Sequence, residues 1–368
     1  MQKSRLLVVI GTRPEAVKMA PVVHALRAAN WAEVRVLATA QHRQLLDQIL
    51  TFFRITPDRD LDLMRADQTL NELTARLLAA LDGALAEERP DLVFAQGDTT
   101  TVMATALACF HRGIAFAHVE AGLRTGDFGN PFPEEMNRVL VARLATLHFA
   151  PTLGAQQQLL REGVPAARVH MTGNTVVDAL QWAATRIERS EFTPPPGKRL
   201  VLVTAHRREN FGAPLLGICA TLRTLAQRPD VQVLFPVHPN PNVQQVVQRE
   251  LGNQPAIQLV APLDYPRMVA AMAASTLILT DSGGVQEEAP SLRVPVLVLR
   301  TTTERPEGVA TGVAKLVGTE PSRLVAAATE LLDDAGARTA MQQAQNPYGD
   351  GHAADRIVGC IATWAASR

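Results

Sequence analysis

Residues 280–308 read TDSGGVQEEAPSLRVPVLVLRTTTERPEG, and the pattern of this stretch predicts the end of a strand, a glycine-rich turn, a helix and a second strand. The apolar run just before it, residues 277–279, is typical of a buried parallel strand, and the spacing of apolar residues predicts a helix that begins at Val285. The turn between them, residues 281–284, reads DSGG. A glycine-rich turn that joins a strand to a helix leaves backbone N–H groups free at the helix N-terminus, where a phosphate can bind.

Charged side chains after this turn indicate which anion would suit it. Glu288 lies one turn into the predicted helix, where a carboxylate repels a phosphate but can accept hydrogen bonds from ribose hydroxyls. A second apolar strand, residues 296–299, leads into a polar loop in which Arg305 offers a guanidinium to an anion. A Ser-Gly-Gly turn alone is equally consistent with an ordinary tight turn. The whole stretch predicts a site for a nucleoside diphosphate.

Strand-like and helical runs alternate along the chain, which predicts an α/β fold built on parallel sheets. The pattern restarts after the proline cluster at residues 193–197, so we expect two Rossmann-like, doubly wound domains that face each other across a cleft. The predicted domains are residues 1–175 and 176–352, with a last helix at 353–368 packing back on the first domain. Pro21 should kink the first helix or begin a new one.

Composition argues against several classes of protein. Basic and acidic residues both number 36, so the charge gives no indication of nucleic-acid or acidic-membrane binding. No apolar run reaches about 18 residues, the minimum for a membrane span. The apolar run at residues 6–10 turns directly into Gly11, which predicts a first strand and not an export signal. Three scattered cysteines without a CxxC pair predict reduced thiols, a cytoplasmic protein and no zinc site.

Three carboxylates are the strongest candidates for chemistry. Asp98 and Glu120 follow two strands that we expect to be adjacent, so both should point into the same crevice. Glu134 begins a helix after a proline-rich loop, with Arg138 one turn later. Clustered acids suit general acid and base catalysis, because repulsion and burial raise pKa values toward neutrality. The alternatives are helix caps and first-turn acids, or a divalent cation site, although no DxD pair is present.

Basic and imidazole side chains lie at other predicted strand ends. Arg13 and Lys18 flank the start of the first helix, where they either face an anion or serve as a cap and a surface charge. His206 precedes two arginines, so it is a candidate for stabilising a departing phosphate. His238 has a similar position in a proline-rich segment, which also fits a plain loop. No GxGxxG motif is present, so a dinucleotide is not indicated.

A series of motifs resembles the non-hydrolysing UDP-N-acetylglucosamine 2-epimerases. They are GTRPEAVKMAPVV (11–23), AQGDTTT (95–101), HVEAGLRTGD (118–127), PFPEEMNR (131–138), TGNTVVDAL (172–180), TAHRRENFG (204–212), TDSGGVQEEAPSL (280–292), TTERPE (302–307) and NPYGD (346–350). Each motif alone is weak evidence, but so many in this order, spread over nearly the whole chain, are specific.

The resemblance implies a GT-B fold of two Rossmann-like domains and a homodimer. It implies reversible conversion of UDP-N-acetylglucosamine (UDP-GlcNAc) to UDP-N-acetylmannosamine (UDP-ManNAc), and we expect no cofactor and no metal. The catalytic roles that it implies fall on Asp98, Glu120, Glu134 and His206. The UDP contacts that it implies fall on Arg13, Ser282, Gly284 and Glu288. The pattern of residues adds further candidate contacts to substrate or UDP at Lys18, Arg138, His238, Gly283 and Arg305.

The chemistry of such a substrate agrees with these residue types. The C2 proton of the sugar is not acidic, because no ketone lies beside it, and the sequence offers no NAD site to create one. The remaining route expels UDP and removes the C2 proton, which gives a 2-acetamidoglucal. UDP then adds back after a proton returns to the other face. This route needs positive charge at the pyrophosphate and at least two acid–base groups.

Two segments depart from the family pattern. Members often place an aromatic residue near the uracil, where this chain has Met268. Some bacterial members bind a second, activating UDP-GlcNAc through a Gln-His pair and a nearby arginine. Gln41 and His42 match that pair, whereas the segment 65–68, which ends at Gln68, matches in part. Gln41, His42 and Gln68 therefore form a candidate allosteric substrate site.

Other functions share some of these features. A UDP-sugar glycosyltransferase of the same fold needs at most one base, which leaves two carboxylates unexplained. An epimerase that hydrolyses UDP off, or one that acts on a modified sugar such as a uronic acid, would keep the same motifs. A catalytically silent nucleotide-sugar sensor would keep the UDP motifs and lose the acids, yet all three acids are present.

Overall fold

The computed structural model describes residues 3–39, 43–65, 67–188 and 190–367. The chain divides into two compact units, one formed by Met1–Ala179 with Tyr348–Arg368 and the other by Leu180–Pro347. Within the described ranges, no helix is both long enough and apolar enough to cross a membrane.

The first unit is a parallel sheet with helices in its connections. Its described strands are β1 (Ser4–Ile10), β2 (Ala32–Ala38), β3 (Arg59–Asp60), β4 (Leu92–Gln96), β5 (Ala115–Val119), β6 (Leu147–Ala150) and β7 (Val169–Met171). Its described helices are α1 (Arg13–Ala28), α2 (Arg43–Phe52), α3 (Leu70–Glu88), α4 (Thr100–His111), α5 (Glu134–Leu144), α6 (Leu153–Arg161) and α7 (Thr175–Ala184), and the division between the units falls within α7. The strand order is β3-β2-β1-β4-β5-β6-β7, and all neighbours are parallel.

The second unit repeats this arrangement. Its described strands are β8 (Arg199–Thr204), β9 (Val231–Pro236), β10 (Ile257–Val260), β11 (Leu277–Thr280), β12 (Val296–Val298) and β13 (Ala314–Leu316). Its described helices are α8 (Ala213–Ala226), α9 (Pro241–Leu251), α10 (Tyr265–Ala274), α11 (Gly283–Glu288), α12 (Pro306–Ala310), α13 (Pro321–Asp333) and α14 (Ala335–Gln343). The order β10-β9-β8-β11-β12-β13 is again parallel throughout.

Both sheets therefore have the doubly wound topology, in which the order reverses beside the first strand and ligands bind outside the carboxyl ends of the strands. The central strands are buried on both faces. Residues 6–10 of β1, for example, are at most 2% exposed. Strands covered by helices on both sides have continuous apolar sequences, and this explains the runs seen in the sequence. The prediction of an α/β fold with two doubly wound domains is confirmed.

The last helix, α15 (Ala353–Ala366), belongs to the first unit and packs on α1. Asp178 in α7 accepts a hydrogen bond from the backbone N–H of Ala354 at 2.8 Å, which satisfies a free donor in the first turn of α15. α1 continues through Pro21, so the alternative that a new helix begins there is wrong. Packing of the apolar face of α1 against β1, β2 and β4 offsets the backbone hydrogen bond that the proline removes.

Candidate active site

Asp98 and Glu120 follow adjacent strands of the first sheet at their carboxyl ends. Gln96 and Val119 are register partners in β4 and β5, and the backbone N–H of Gly97 donates to the carbonyl of Val119 at 3.0 Å. The two acids therefore leave the sheet at the same edge, one residue after Val119 in β5 and two residues after Gln96 in β4.

The Asp98 carboxylate is paired with a buried arginine. Oδ2 of Asp98 lies 2.8 Å from Nε and 2.7 Å from Nη2 of Arg138 in α5. Asp98 does not cap α4, because the N-cap residue is Thr99, whose hydroxyl accepts from the N–H of Val102 at 3.4 Å. The simple helix-cap interpretation of Asp98 is therefore wrong. Its side chain remains 24% exposed, so it is accessible to a ligand.

Glu120 has a backbone conformation that non-glycine residues seldom adopt. Its φ is +63°, in the left-handed region, and such a conformation is retained only where the surrounding structure holds it. Its carboxylate forms an ion pair with Lys18 of α1, and both side chains are largely buried. The predicted anion contact at Lys18 thus lies beside one of the predicted catalytic acids.

The two glutamates that begin α5 have different surroundings. Glu134 is half-buried and makes no hydrogen bond or ion pair with any described residue. Glu135 is 1% exposed and accepts hydrogen bonds from the N–H groups of Thr125 and Gly126, each at 3.0 Å. It also binds Arg138 at 3.1 Å. Burial lowers the pKa of Arg138, but Asp98 and Glu135 outweigh burial and raise it above its ordinary value.

Glu15, which the sequence analysis did not single out, lies beneath this edge of the sheet. Its carboxylate is 2% exposed and accepts from the N–H of Gly11 at 2.6 Å and from the hydroxyl of Thr99 at 2.8 Å. Burial raises the pKa of Glu15 to about 7, although these hydrogen bonds lower it. A Cβ at Gly11 would lie 2.6 Å from the Thr101 hydroxyl, so only glycine fits there. Arg13, by contrast, is exposed and contacts no charged partner among the described residues.

In the second unit a fully buried aspartate organises the end of β8. Asp281 accepts hydrogen bonds through Oδ2 from the backbone N–H groups of His206 and Arg207 and from the Asn210 amide, each at 2.9 Å. Nδ1 of His206 lies 3.0 Å from Oδ1 of the same carboxylate. Burial alone would raise the pKa of Asp281, but His206 and the hydrogen-bond donors lower it below its ordinary value.

The His206 ring is therefore oriented by Asp281 through Nδ1, which leaves Nε2 as the nitrogen that a ligand can contact. The ring is 40% exposed. It stacks on the ring of His238, with centroids 5.9 Å apart and an interplanar angle of 19°. The two histidines predicted at strand ends thus lie side by side.

The glycine-rich turn at residues 281–284 lies between β11 and α11. The helix begins at Gly283, so the predicted start at Val285 is wrong by two residues. The Ser282 side chain makes no capping hydrogen bond. A Cβ at Gly283 or Gly284 would meet no described atom closer than 3.9 Å, and neither φ is left-handed. Packing does not require glycine here, so the bare backbone is free for the close approach of a ligand.

Two arginines extend toward this turn. The guanidinium groups of Arg207 and Arg305 each have a nitrogen 3.9 Å from the Cβ position of Gly283. Arg305 forms an ion pair with the buried Glu287. Arg207 lies 3.5 Å from Glu304. The turn is thus surrounded by positive groups whose present partners are carboxylates, an arrangement that suits an incoming phosphate.

Comparison with known proteins identifies the family of this chain. The family model described as UDP-N-acetylglucosamine 2-epimerase matches residues 24–362. The UDP-N-acetylglucosamine 2-epimerase of Escherichia coli (strain K12) is 50% identical over 365 residues, which cover 96% of this chain and 97% of that protein. The chain belongs to the UDP-N-acetylglucosamine 2-epimerase family.

Solved structures of this epimerase family share the fold. The UDP-GlcNAc 2-epimerase from Neisseria meningitidis, solved bound to UDP-GlcNAc, matches with a TM-score of 0.89 and 42% identity over 98% of this chain and 100% of that one. The enzyme from Methanocaldococcus jannaschii matches with a TM-score of 0.85 and 33% identity, covering 98% and 99% of the two chains. The fold is accordingly of the GT-B type.

The remaining predicted residues of this family member are Gln41, His42, Gln68 and Glu288. Gln41 and His42 lie outside the described residues. Gln68 donates to the sulfur of Met64 at 2.7 Å. Glu288 is 9% exposed, and its charge adds to burial in raising the pKa of Tyr265 well above its ordinary value. No group of three or more histidine, cysteine, aspartate or glutamate side chains in the described part of the chain could hold a metal ion.

Sequence reasoning missed three buried acids that bind loop N–H groups near the predicted residues: Glu15, Glu135 and Asp281. Each lies inside a motif that was quoted for its neighbours. For Glu135 a signal was available, since it precedes Arg138 by one helical turn and so shares its face of α5. For Glu15 and Asp281 the sequence does not show that the carboxylate turns inward to bind loop N–H groups.

Proposed function

We propose that the chain interconverts UDP-GlcNAc and UDP-ManNAc by reversible epimerisation at C2. The observation that carries this proposal is the pair of acids, Asp98 and Glu120, at the ends of adjacent strands in a chain of the 2-epimerase family. A reaction that takes a proton from one face of C2 and returns one to the other needs two such groups.

The proposed reaction is an elimination followed by an addition. The C1–O bond breaks, its electron pair leaves with UDP, and a carboxylate takes the C2 proton, so that a C1=C2 double bond forms in a 2-acetamidoglucal. A second acid then delivers a proton to the opposite face of C2 while a UDP oxygen attacks C1. Asp98, Glu120 and Glu134 are the proposed acid–base groups, and the unpaired carboxylate of Glu134 supports its place among them.

Expulsion of UDP requires fixed positive charge and N–H donors at the pyrophosphate. We assign this role to His206, with its free Nε2, to Arg305 and to the open turn at Ser282, Gly283 and Gly284. The same assignment includes the exposed Arg13, and His238 through its contact with His206. The second unit is then the UDP-binding domain, with Glu288 on the ribose.

Lys18 and Arg138 have two roles in this proposal, as contacts of the substrate and as partners of the catalytic acids. They were predicted as ligand contacts, and each already pairs with a proposed catalytic acid, Glu120 and Asp98 respectively. We propose that they contact the substrate from beside those acids. In the bound complex, the carboxylates of Glu120 and Asp98 would each have a cation beside them.

We also propose that the protein is a cytoplasmic homodimer. The family resemblance supports the dimer, and three free cysteines, Cys109, Cys219 and Cys360, support a reducing compartment. Light scattering coupled to size-exclusion chromatography should give about twice the chain mass of 39.8 kDa. A second, activating UDP-GlcNAc at Gln41, His42 and Gln68 remains a prediction, which a sigmoidal dependence of rate on substrate would support.

The decisive experiment is proton NMR of the purified protein with UDP-GlcNAc in D2O, without added metal or NAD. We expect UDP-ManNAc to appear, with deuterium entering at C2. Free N-acetylmannosamine with stoichiometric UDP would show the hydrolysing reaction instead. An unchanged substrate, with UDP still bound, would leave a glycosyltransferase, a sensor or an epimerase of a modified sugar.

A further inference from the structure

Asp98 belongs to a short turn whose backbone is held on both sides by buried side chains that the proposed reaction does not use. Nε2 of His118, in β5, lies 2.7 Å from the carbonyl oxygen of Gly97. Nδ2 of Asn137, in α5, donates to the carbonyl oxygen of Asp98 itself at 2.8 Å. His118 is 1% exposed and Asn137 is 5% exposed. The peptide groups before and after Asp98 are thus fixed from two different elements.

The hydrogen bond to Gly97 defines the state of the His118 ring. A carbonyl oxygen only accepts, so Nε2 must carry the proton and donate it. Burial, together with the charges of Arg124 and Arg138, lowers the pKa of His118 to about 4, although the hydrogen bond to Gly97 raises it. The ring is therefore neutral at neutral pH, and its role is that of a hydrogen-bond donor and not of a proton carrier.

Packing alone does not fix this turn. Gly97 has a φ of +86°, which favours glycine, and a Cβ built on it would meet no described atom within 4 Å. Gly97 is buried, but it has no side chain whose packing could restrict its backbone. The hydrogen bonds from His118 and Asn137 are therefore the contacts that hold the peptide planes on either side of Asp98.

We propose that His118 and Asn137 are positioning residues that hold the Asp98 carboxylate at the place from which it reaches C2 of the sugar. The inference rests on the proposed function, because it concerns the placement of a group in that reaction. Neither side chain contacts the reacting atoms in this scheme. Displacement of a catalytic group by about 1 Å can cost on the order of 100-fold in rate, so loss of either hydrogen bond should slow turnover without weakening binding.

The test compares His118→Phe, which removes the donor, with His118→Gln, which retains an N–H donor, and with Asn137→Ala. The matched control is His148→Phe. His148 is the register partner of His118 in β6, is equally buried at 1% exposure, and makes no side-chain hydrogen bond to residues 97–99. Any loss of activity that comes only from disturbing a buried histidine should appear in both phenylalanine variants.

We expect kcat of the His118→Phe and Asn137→Ala variants to fall by about 10- to 100-fold, while KM and the Kd for UDP stay within about threefold. His118→Gln should recover most of the loss, and His148→Phe should turn over like the wild type. The double variant should lose less than the product of the two single losses, because both residues hold one turn. If His118→Phe fails to fold, Asn137→Ala alone carries the test.

Three results would overturn the inference: normal kcat in Asn137→Ala, equal losses in the two histidine-to-phenylalanine variants, or a rise in KM in place of the fall in kcat. Failure of the proposed function is recognised separately. A wild-type protein that binds UDP but does not epimerise UDP-GlcNAc would remove the reaction, and the inference with it. A wild type that epimerises, with variants that do so equally well, would remove only the inference.

Discussion

Among single side chains, Asp98 combines features that a catalytic carboxylate needs. It is partly exposed, one of its oxygens is paired with Arg138, and its backbone is held on both sides. Asp91, just before the opposite end of β4, offers a comparison, because its carboxylate accepts a hydrogen bond from the backbone N–H of Arg5 at 2.8 Å, away from the proposed catalytic acids. The two aspartates therefore allow a matched test of position.

Asp98→Asn should lower kcat by about 100-fold or more, since an amide can neither take nor deliver the C2 proton. The Kd for UDP should stay unchanged, because the leaving group does not depend on this carboxylate. Steady-state kinetics and calorimetric titration with UDP measure the two quantities. Asp91→Asn should turn over like the wild type, and a fully active Asp98→Asn would remove Asp98 from the mechanism.

Glu15 should give the stability of the protein a distinctive pH dependence. Its pKa is about 7 in the folded protein and 4.5 in the unfolded chain, so its stabilising contribution is complete below about pH 4.5 and is lost as the pH rises through 7. The loss is on the order of 3 kcal/mol. Denaturant unfolding from pH 5 to 8.5 should show the free energy of unfolding of the wild type falling relative to Glu15→Gln, which does not titrate. A difference independent of pH would contradict the assigned burial.

Gly284→Ala separates ligand approach from packing. A Cβ at Gly284 would be 3.9 Å from the nearest described atom, the Ser282 hydroxyl, so the variant should fold with an unchanged or slightly higher melting temperature. The methyl group would occupy the space into which we place the pyrophosphate, so the Kd for UDP should rise at least about 10-fold. Gly83→Ala, in α3 with open space around its Cβ position, is the control and should leave UDP binding unchanged. Normal UDP binding by Gly284→Ala would exclude this turn.

At the level of elements, α5 supplies two neighbouring glutamates with different tasks. Glu134→Gln should lower kcat by about 100-fold with an unchanged free energy of unfolding, because its carboxylate has no partner among the described residues to lose. Glu135→Gln should destabilise the protein by about 1–3 kcal/mol. The amide NH2 would replace one carboxylate oxygen, so a donor would face either the N–H groups of Thr125 and Gly126 or the guanidinium of Arg138. Kinetics and urea unfolding on both variants test this division. Equal effects on both measurements would contradict it.

The elements themselves were predictable where burial made the pattern simple. The sequence pattern predicts strands at 199–204 and 231–236 and a helix at 265–274, and the bounds of β8, β9 and α10 agree with it. Continuous apolar strands and a regularly spaced apolar helix face leave few alternatives. α9 was not predicted, since the prolines at 239 and 241 indicated a loop. Pro241 instead occupies the first turn of that helix, a position that tolerates a residue without an N–H.

For the molecule as a whole, topology followed from the sequence more readily than the site did. Alternating strands and helices restrict a parallel sheet to few arrangements, and both sheets adopt the doubly wound order. The same alternation shows where each strand ends, so the polar residues at the strand ends could be identified from the sequence. The buried acids Glu15 and Asp281 could not, because their partners are loop N–H groups whose positions arise only when the chain is folded.

The proposed acids belong to the first unit and the glycine turn to the second, so contact of the ligand with each can be tested separately. Hydrogen exchange is suited to this test, because a bound ligand protects the amides that it orders. Both UDP and UDP-GlcNAc should slow exchange in residues 280–288. Only UDP-GlcNAc should add protection in residues 95–101 and 118–124, because the proposed reaction brings the sugar, and not the nucleotide, to Asp98 and Glu120. If saturating UDP-GlcNAc leaves exchange in these two segments unchanged, the acids do not contact the sugar. This conclusion would hold even if UDP-GlcNAc protects the glycine turn.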